Sequence, residues 1–192
     1  MRKINIAVIG LGQIGNYLLH ELNSKKKDIE LKTGKKINVV AISAKNINKK
    51  RRFKINKKIF YKNPFDIFKY KKIDILFEVI GLSDGVSKRI VEKALYNRIH
   101  VITPNKALIS KHGDYLSKIA EKNNVNLEFE ASVAGGIPIL RTIKEGLATN
   151  KINKVYGILN GTCNYILSKM ENDNKSFKTV LQSAQKLGYA EP

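Results

Sequence analysis

Gly10-Leu11-Gly12-Gln13-Ile14-Gly15 sets three glycines at GxGxxG spacing between an apolar run and an amphipathic segment. The run, Ile4 to Ile9, predicts a buried strand, and Ile14, Leu18, Leu19 and Leu22 space themselves along one helical face to about Lys26. Each glycine has a separate physical task in such a strand–turn–helix unit. Gly10 permits the tight turn, Gly12 lets backbone come close to a diphosphate, and Gly15 lets helix and strand pack closely. The free N–H groups at the helix start, with the helix dipole behind them, favour an anion there. Leu11, Gln13 and Ile14 complete that cradle.

The rest of the chain alternates in the same way. Ile37 to Ser43 predicts a second strand, followed by a polar, basic stretch from Lys45 to Lys58. Ile73 to Ile80 predicts a third strand, and Ser83 or Asp84 is the expected cap of a helix running to Asn97. His100 to Thr103 predicts a fourth strand, Ala107 to Lys122 a helix, and Val125 to Glu130 a fifth strand. Short apolar strands alternating with amphipathic helices imply a parallel α/β sheet. The expected fold is therefore α/β, a Rossmann doubly wound parallel sheet over residues 1–130. Ala131 to Ile139 is small and glycine-rich, and marks the expected boundary with a second domain over 131–192. There, after a short helix, Ile152 to Leu159 predicts a strand, and Asn164 to Met170 and Phe177 to Leu187 predict helices, the last stopped at Gly188.

In the first domain, the motif predicts a dinucleotide ligand. An NAD site commonly offers Asp or Glu at the end of the second strand, for the ribose 2′-hydroxyl. This chain offers Ser43-Ala44-Lys45-Asn46 with Lys49, Lys50, Arg51 and Arg52 behind. A cation at Lys45 suits a 2′-phosphate, so NADP is the expected cofactor and NAD the alternative. Gly81, after the third strand, is either a close approach of backbone to cofactor or a simple strand-to-helix turn.

Composition narrows the function classes. The net charge of +20 in 192 residues invites a nucleic-acid reading. Yet the excess is lysine spread along the whole chain, and aromatics are not interleaved with it as a stacking platform requires. Nucleic acid is not expected as a partner; the charge should instead help draw in anionic small molecules. Lys, Asn or Asp interrupts every apolar stretch, so no membrane span is expected. The single cysteine, Cys163, excludes an internal disulfide and is read as a small packing residue. A cytoplasmic protein acting on a small-molecule substrate is expected.

Four further segments carry a family resemblance. They are Ile102-Thr103-Pro104-Asn105-Lys106-Ala107, the run Phe129 to Pro138 (FEASVAGGIP), the run Gly157 to Leu167 (GILNGTCNYIL), and Leu187-Gly188-Tyr189-Ala190-Glu191-Pro192. With the glycine motif, their order and spacing resemble homoserine dehydrogenase across essentially the whole chain. The resemblance implies NAD(P)-dependent interconversion of L-homoserine and L-aspartate 4-semialdehyde, in the route to threonine, methionine and isoleucine. It implies a catalytic Lys106 near the nicotinamide, where an ammonium polarises a carbonyl or stabilises an alkoxide. It also implies a substrate pocket of Gly161, Thr162, Tyr189 and Glu191, the last meeting the substrate ammonium and counted with Lys106 as catalytic. Glu130, Val133, Gly135 and Ile137 resemble a loop for a monovalent cation such as sodium; on residues alone they read equally well as a glycine-rich hinge. Family members carry an Asp and a Lys beyond the position of Glu191, completing the acid/base groups, and further sheet for dimerisation. The second domain is thus expected to be an incomplete α+β catalytic/dimerisation domain. The chain is expected to be a fragment, a homodimer when full-length, that binds dinucleotide but is a poor catalyst alone. The alternatives are another Rossmann reductase or a non-catalytic dinucleotide-binding module.

Overall fold

The computed structural model describes residues 2–49, 51, 55–69, 72–157 and 161–190. The chain folds as two compact units, Met1–Gly135 and Gly136–Pro192.

The first unit is a six-stranded sheet. Its strands are β1 (Arg2–Ile9), β2 (Lys35–Ser43), β3 (Phe60–Tyr61), β4 (Ile75–Glu78), β5 (His100–Ile102) and β6 (Leu127–Glu128). They lie in the order β3-β2-β1-β4-β5-β6 with every pairing parallel. The chain moves one way from β1 to β3, then returns to the middle and moves the other way through β4, β5 and β6. Order reverses between β1 and β4, and such a switch point opens a crevice at the carboxyl ends of the strands.

Side-chain alternation distributes the core over both faces. Ile6, Val8 and Ile42 pack with Leu19 of α1 (Gln13–Ser24) on one face. Ala7, Ile9, Leu76, Val101 and Leu127 pack on the other, against α3 (Val86–Tyr96) and α4 (Lys106–Lys122). Ile90, Val91, Ala94 and Leu95 supply the α3 stripe, and Leu108, Leu116, Ile119 and Ala120 the α4 stripe. Helices on both faces explain why the strands read as continuous apolar runs. At Val40 the β1–β2 register slips, and Val40 and Ala41 both join the α3/α4 face. The extra residue keeps Ile42 on the opposite face, a bulge doing its usual work of re-aiming side chains.

Several elements differ from the sequence reading. A second helix, α2 (Lys26–Thr33), follows α1 and ends at Gly34, whose φ of 65° makes a left-handed cap. It buries none of its residues, so it leaves no apolar period to read. Strand β3 and a 3-10 helix over Pro64–Lys69 lie between the polar stretch and the third expected strand, where the sequence reading has no element. Strands β4 and β6 are shorter than their apolar runs. Helix α3 is not capped by Ser83 or Asp84: its N-cap is Gly85, without a side-chain bond. Asp84 instead pairs with Lys111 and His112, since charged partners make the stronger hydrogen bonds.

The second unit holds α5 (Ile139–Arg141), a π-helical turn over Thr142–Gly146, α6 (Gly161–Asp173) and α7 (Phe177–Lys186). Ile166 of α6 packs on Val180 and Ala184 of α7. The expected strand over Ile152 to Leu159 does not form in its described part. Residues 151–157 are irregular, with Val155 57% and Tyr156 85% exposed. A strand needs a ladder partner, and among the described residues of this unit there is none. Cys163 is exposed on α6 rather than packed.

Candidate functional site

The glycine turn is built by close backbone approach. Gly10 has φ of 99°, and a Cβ there would stand 2.5 Å from the Val79 carbonyl oxygen. A Cβ on Gly15 would stand 2.0 Å from the Gly10 carbonyl oxygen, so α1 sits on the turn with no room for a methyl group. Gly12 is different. It is exposed, a Cβ there would meet nothing within 4 Å, and it caps α1 without a side-chain bond. The turn is stitched to both neighbouring strands: Gly10 N–H donates to the Ser43 carbonyl at 2.9 Å, and Val79 N–H donates to the Ile9 carbonyl at 2.8 Å. Leu11 is buried, whereas Gln13 and Ile14 are exposed on the first turn of the helix. The arrangement offers backbone amides at a helix start, open to solvent, at the switch point of the sheet. Open amides so arranged suit an anionic group such as a diphosphate.

The neighbouring strand ends supply the rest of this edge. Lys45 is exposed, two residues beyond β2. Arg51 donates to the carbonyls of Asn46 at 2.6 Å, Ile47 at 2.9 Å and Lys49 at 2.9 Å. Its guanidinium pins the loop after β2. Lys50 and Arg52 lie outside the described residues. Gly81 follows β4 with φ of 92° and open space where a Cβ would point.

Lys106 is exposed and opens α4. Because all strands run parallel, the ends of β1, β4 and β5 share one edge. Neighbouring strands lie about 4.8 Å apart, so the β5 end is about 10 Å from the glycine turn across the sheet, within the reach of a dinucleotide. Sequence reading singled out Lys106 but passed over the group beneath it. Glu78, the last residue of β4, is fully buried. Its carboxylate accepts from the Ile80 N–H at 2.9 Å, the Thr103 hydroxyl at 2.7 Å and the Asn105 amide at 3.3 Å. Asn105 also donates to the Leu82 carbonyl at 2.8 Å, and its own side-chain oxygen caps α4 at the Leu108 N–H. A glutamate among the apolar residues that follow Asp74 in the run IDILFEVI is the available signal.

Beside this edge, Asp84 bonds Lys111 Nζ at 2.5 Å and His112 Nε2 at 2.7 Å. The Lys111 ammonium and then the His112 ring hold its carboxyl well below the usual carboxylate range.

Glu130 and Ser132 form a 3-10 turn after β6, with the Glu130 carbonyl accepting from Val133 N–H at 3.1 Å. Glu130, Val133 and Gly135 belong to the first unit and Ile137 to the second. Within the second unit, Gly161 starts α6, and the Thr162 hydroxyl donates to the Tyr189 carbonyl. The Tyr189 ring lies 5.0 Å from that of Tyr165. Gly161, Thr162 and Tyr189 are thus brought together; Glu191 lies outside the described residues.

Comparison with known proteins gives the same picture. The model of a homoserine dehydrogenase NAD binding domain matches residues 10–130, and that of homoserine dehydrogenase matches 138–192. The chain is 39% identical over 191 residues to homoserine dehydrogenase of Neisseria gonorrhoeae and 36% identical to that of Bacillus subtilis. These alignments cover 100% of this chain but 43% and 44% of the relatives. A crystal structure of a homoserine dehydrogenase from Thiobacillus denitrificans superposes with a TM-score of 0.81 at 38% identity, covering 100% of this chain and 44% of that one. Under half the length of those relatives is spanned, yet both family models fall in sequence order on the two units described above. The chain belongs to the homoserine dehydrogenase family.

Proposed function

We propose that the protein interconverts L-homoserine and L-aspartate 4-semialdehyde, with NADP as the redox partner. The observation that carries this is the joint placement of an open amide cradle at Gly12 and an exposed Lys106 on one carboxyl edge of the sheet. The amides at the start of α1, around Gly12, Gln13 and Ile14, hold the pyrophosphate. Lys45, with no acidic residue between β2 and Lys50, takes the 2′-phosphate that distinguishes NADP from NAD. Gly81 leaves room beyond β4 for the nicotinamide half. The nicotinamide supplies hydride exchange at the substrate's terminal carbon.

Chemistry at the substrate oxygen falls to Lys106. Its ammonium stabilises the negative charge that develops when the aldehyde oxygen receives electrons, and it is the proposed proton donor to that oxygen. Gly161, Thr162, Tyr189 and Glu191 bind the amino-acid end, with Glu191 accepting from the substrate ammonium. Glu130, Val133, Gly135 and Ile137 are proposed, on the family resemblance, as the loop that takes a monovalent cation such as sodium, to which a carboxylate and backbone carbonyls are suitable donors. The partner is a small molecule, and the whole protein is proposed to work as a homodimer in the cytoplasm. Among the described residues no helix is long and apolar enough to cross a membrane.

The test is a fluorescence titration with NADPH and with NADH. Saturable binding, tighter for NADPH, is expected; no interaction with well-folded protein overturns the proposal. Binding with no turnover in the whole protein would favour the non-catalytic module instead.

A further inference from the structure

The carboxylate of Glu78 is the one fully buried charged group described in the molecule, and the mechanism above gives it nothing to do. It lies at the end of β4, where a sheet of this order receives its ligand, and all three of its hydrogen bonds go to two loops on that edge. One oxygen holds the Ile80 N–H, at the start of the loop that contains Gly81. The other holds Thr103 and Asn105, in the loop that delivers Lys106. Asn105 closes the circuit, reaching across to the Leu82 carbonyl and capping the helix whose first residue is Lys106.

We propose that Glu78 is a positioning residue: it fixes the separation of the β4 and β5 loops, and so the width of the nicotinamide slot and the aim of Lys106 across it. This rests on the reading that the nicotinamide end lies between those strand ends. Burying a carboxylate is costly unless it is paired with donors, which a simple loop tether could avoid with neutral groups. What a carboxylate adds is acceptor capacity for three donors from two directions at once, which no neutral side chain of this length supplies. A slot held this way is stiff without a residue projecting into it. The glycine turn packs against Val79 and Ile80, but none of the three side-chain bonds of Glu78 goes to the amides at the start of α1, so loosening the circuit should reach the nicotinamide slot before the pyrophosphate cradle.

The experiment uses Thr103→Val, which keeps the shape but removes one donor, and Asn105→Ser, which keeps a helix cap but withdraws the amide from Glu78 and Leu82. Glu78→Gln sets an amide N–H against one of the donors. Thr103→Ser retains the hydroxyl and serves as the conservative rescue. NADPH is titrated into each, reading the dissociation constant and the emission of the bound nicotinamide separately. In the first three variants the emission gain on binding should fall roughly twofold or more, with the dissociation constant within about threefold of wild type, and Thr103→Ser should restore the signal. A uniform loss of affinity, or wild-type emission from folded Thr103→Val and Asn105→Ser, overturns the proposal. If wild type itself fails to bind NADPH, the functional reading falls, and the inference with it. Variants that do not fold are identified by circular dichroism, and Asn105→Ser leaves the buried carboxylate two of its three donors should Glu78→Gln be lost in that way.

Discussion

Gly12→Ala and Gly15→Ala add the same methyl group three residues apart and should fail in opposite ways. At Gly15 the new Cβ would lie 2.0 Å from the Gly10 carbonyl oxygen and 3.0 Å from Val79 Cγ2. Reaching even a 3.0 Å contact requires α1 to move about 1 Å off the turn, and the obstructing atom is backbone. Overpacking costs about 1–3 kcal/mol, and a rigid obstacle argues for the upper end. At roughly 2–4 °C per kcal/mol for a chain of this size, the melting temperature should fall by about 6–12 °C. At Gly12 the Cβ enters empty space at φ of −71°, which alanine adopts freely. The lost helix-cap preference costs about 0.5 kcal/mol, and the reduced freedom of the unfolded chain returns about as much, so stability should stay within about 0.5 kcal/mol.

Ligand binding reverses the ranking. The empty space at Gly12 is where the phosphates must come closest. A methyl group there displaces them from the helix amides, and loss of one or two charge-assisted bonds at about 1.5–3 kcal/mol each predicts a dissociation constant for NADPH raised about 100-fold. Differential scanning fluorimetry without ligand, and NADPH titration by fluorescence, read the two effects separately. Wild-type NADPH affinity in Gly12→Ala would refute the placement of the phosphates, and an unchanged melting temperature in Gly15→Ala would refute the packing argument.

Three other outcomes are expected. Lys106→Ala in the whole protein should lower kcat by about 10²–10⁴-fold while NADPH binding persists, as removal of a proton-transfer group does; steady-state kinetics beside a titration checks both halves. Lys45→Ala should weaken NADPH by about tenfold, leave NADH unchanged, and reduce the salt dependence of NADPH binding, which is measured by titration at two ionic strengths. The Asp84 carboxyl is held below its ordinary value of 3.8, so it contributes stability above about pH 4 that is lost as pH falls through the folded value. The melting temperature of Asp84→Asn should therefore lie below wild type near pH 6, with the gap starting to close only below about pH 4 and narrowing further at the lowest pH the fold tolerates; a gap that does not narrow below about pH 4 refutes the linkage. As the pair is solvent-exposed, the gap should be small.

What could be read in the sequence follows from where the free energy is spent. Strands buried on both faces, such as β1 and β2, are continuous apolar runs, and the glycine motif announces its own turn. Helix α2 was illegible because its stabilisation is local: the Lys26–Glu30 pair and the Gly34 cap leave no apolar stripe. Strand β3 is two residues long, too short for a period of two to register. The run Ile152 to Leu159 shows the converse. Its Ile, Val and Tyr favour a strand, but propensity cannot supply the ladder partner, and the described residues stay irregular. Lys106 was legible through its neighbours Thr103 and Asn105, whose roles become physical only once Glu78 is seen between them.

The residues that define this site are those that break the ordinary rules of the fold. Gly10 and Gly81 sit at positive φ at the ends of adjacent strands, Glu78 puts a charge where its strand is otherwise apolar, and Ile14 leaves 58% of a large apolar side chain in solvent at the helix start. Each departure would cost stability in isolation, and all four lie on the carboxyl edge around the switch between β1 and β4. Other departures lie away from this edge, such as positive φ at Arg98 and Asn124 and Leu31 at 81% exposure, so it is the convergence of a buried charge, two glycine turns at positive φ and an open helix start that fits a fold shaped around a ligand. The lysine excess, by contrast, is spread over both units and breaks no rule. It raises the concentration of anions near the whole surface, while the glycine turn is the proposed place where one of them is held and the Glu78 circuit the proposed support of the slot beside it.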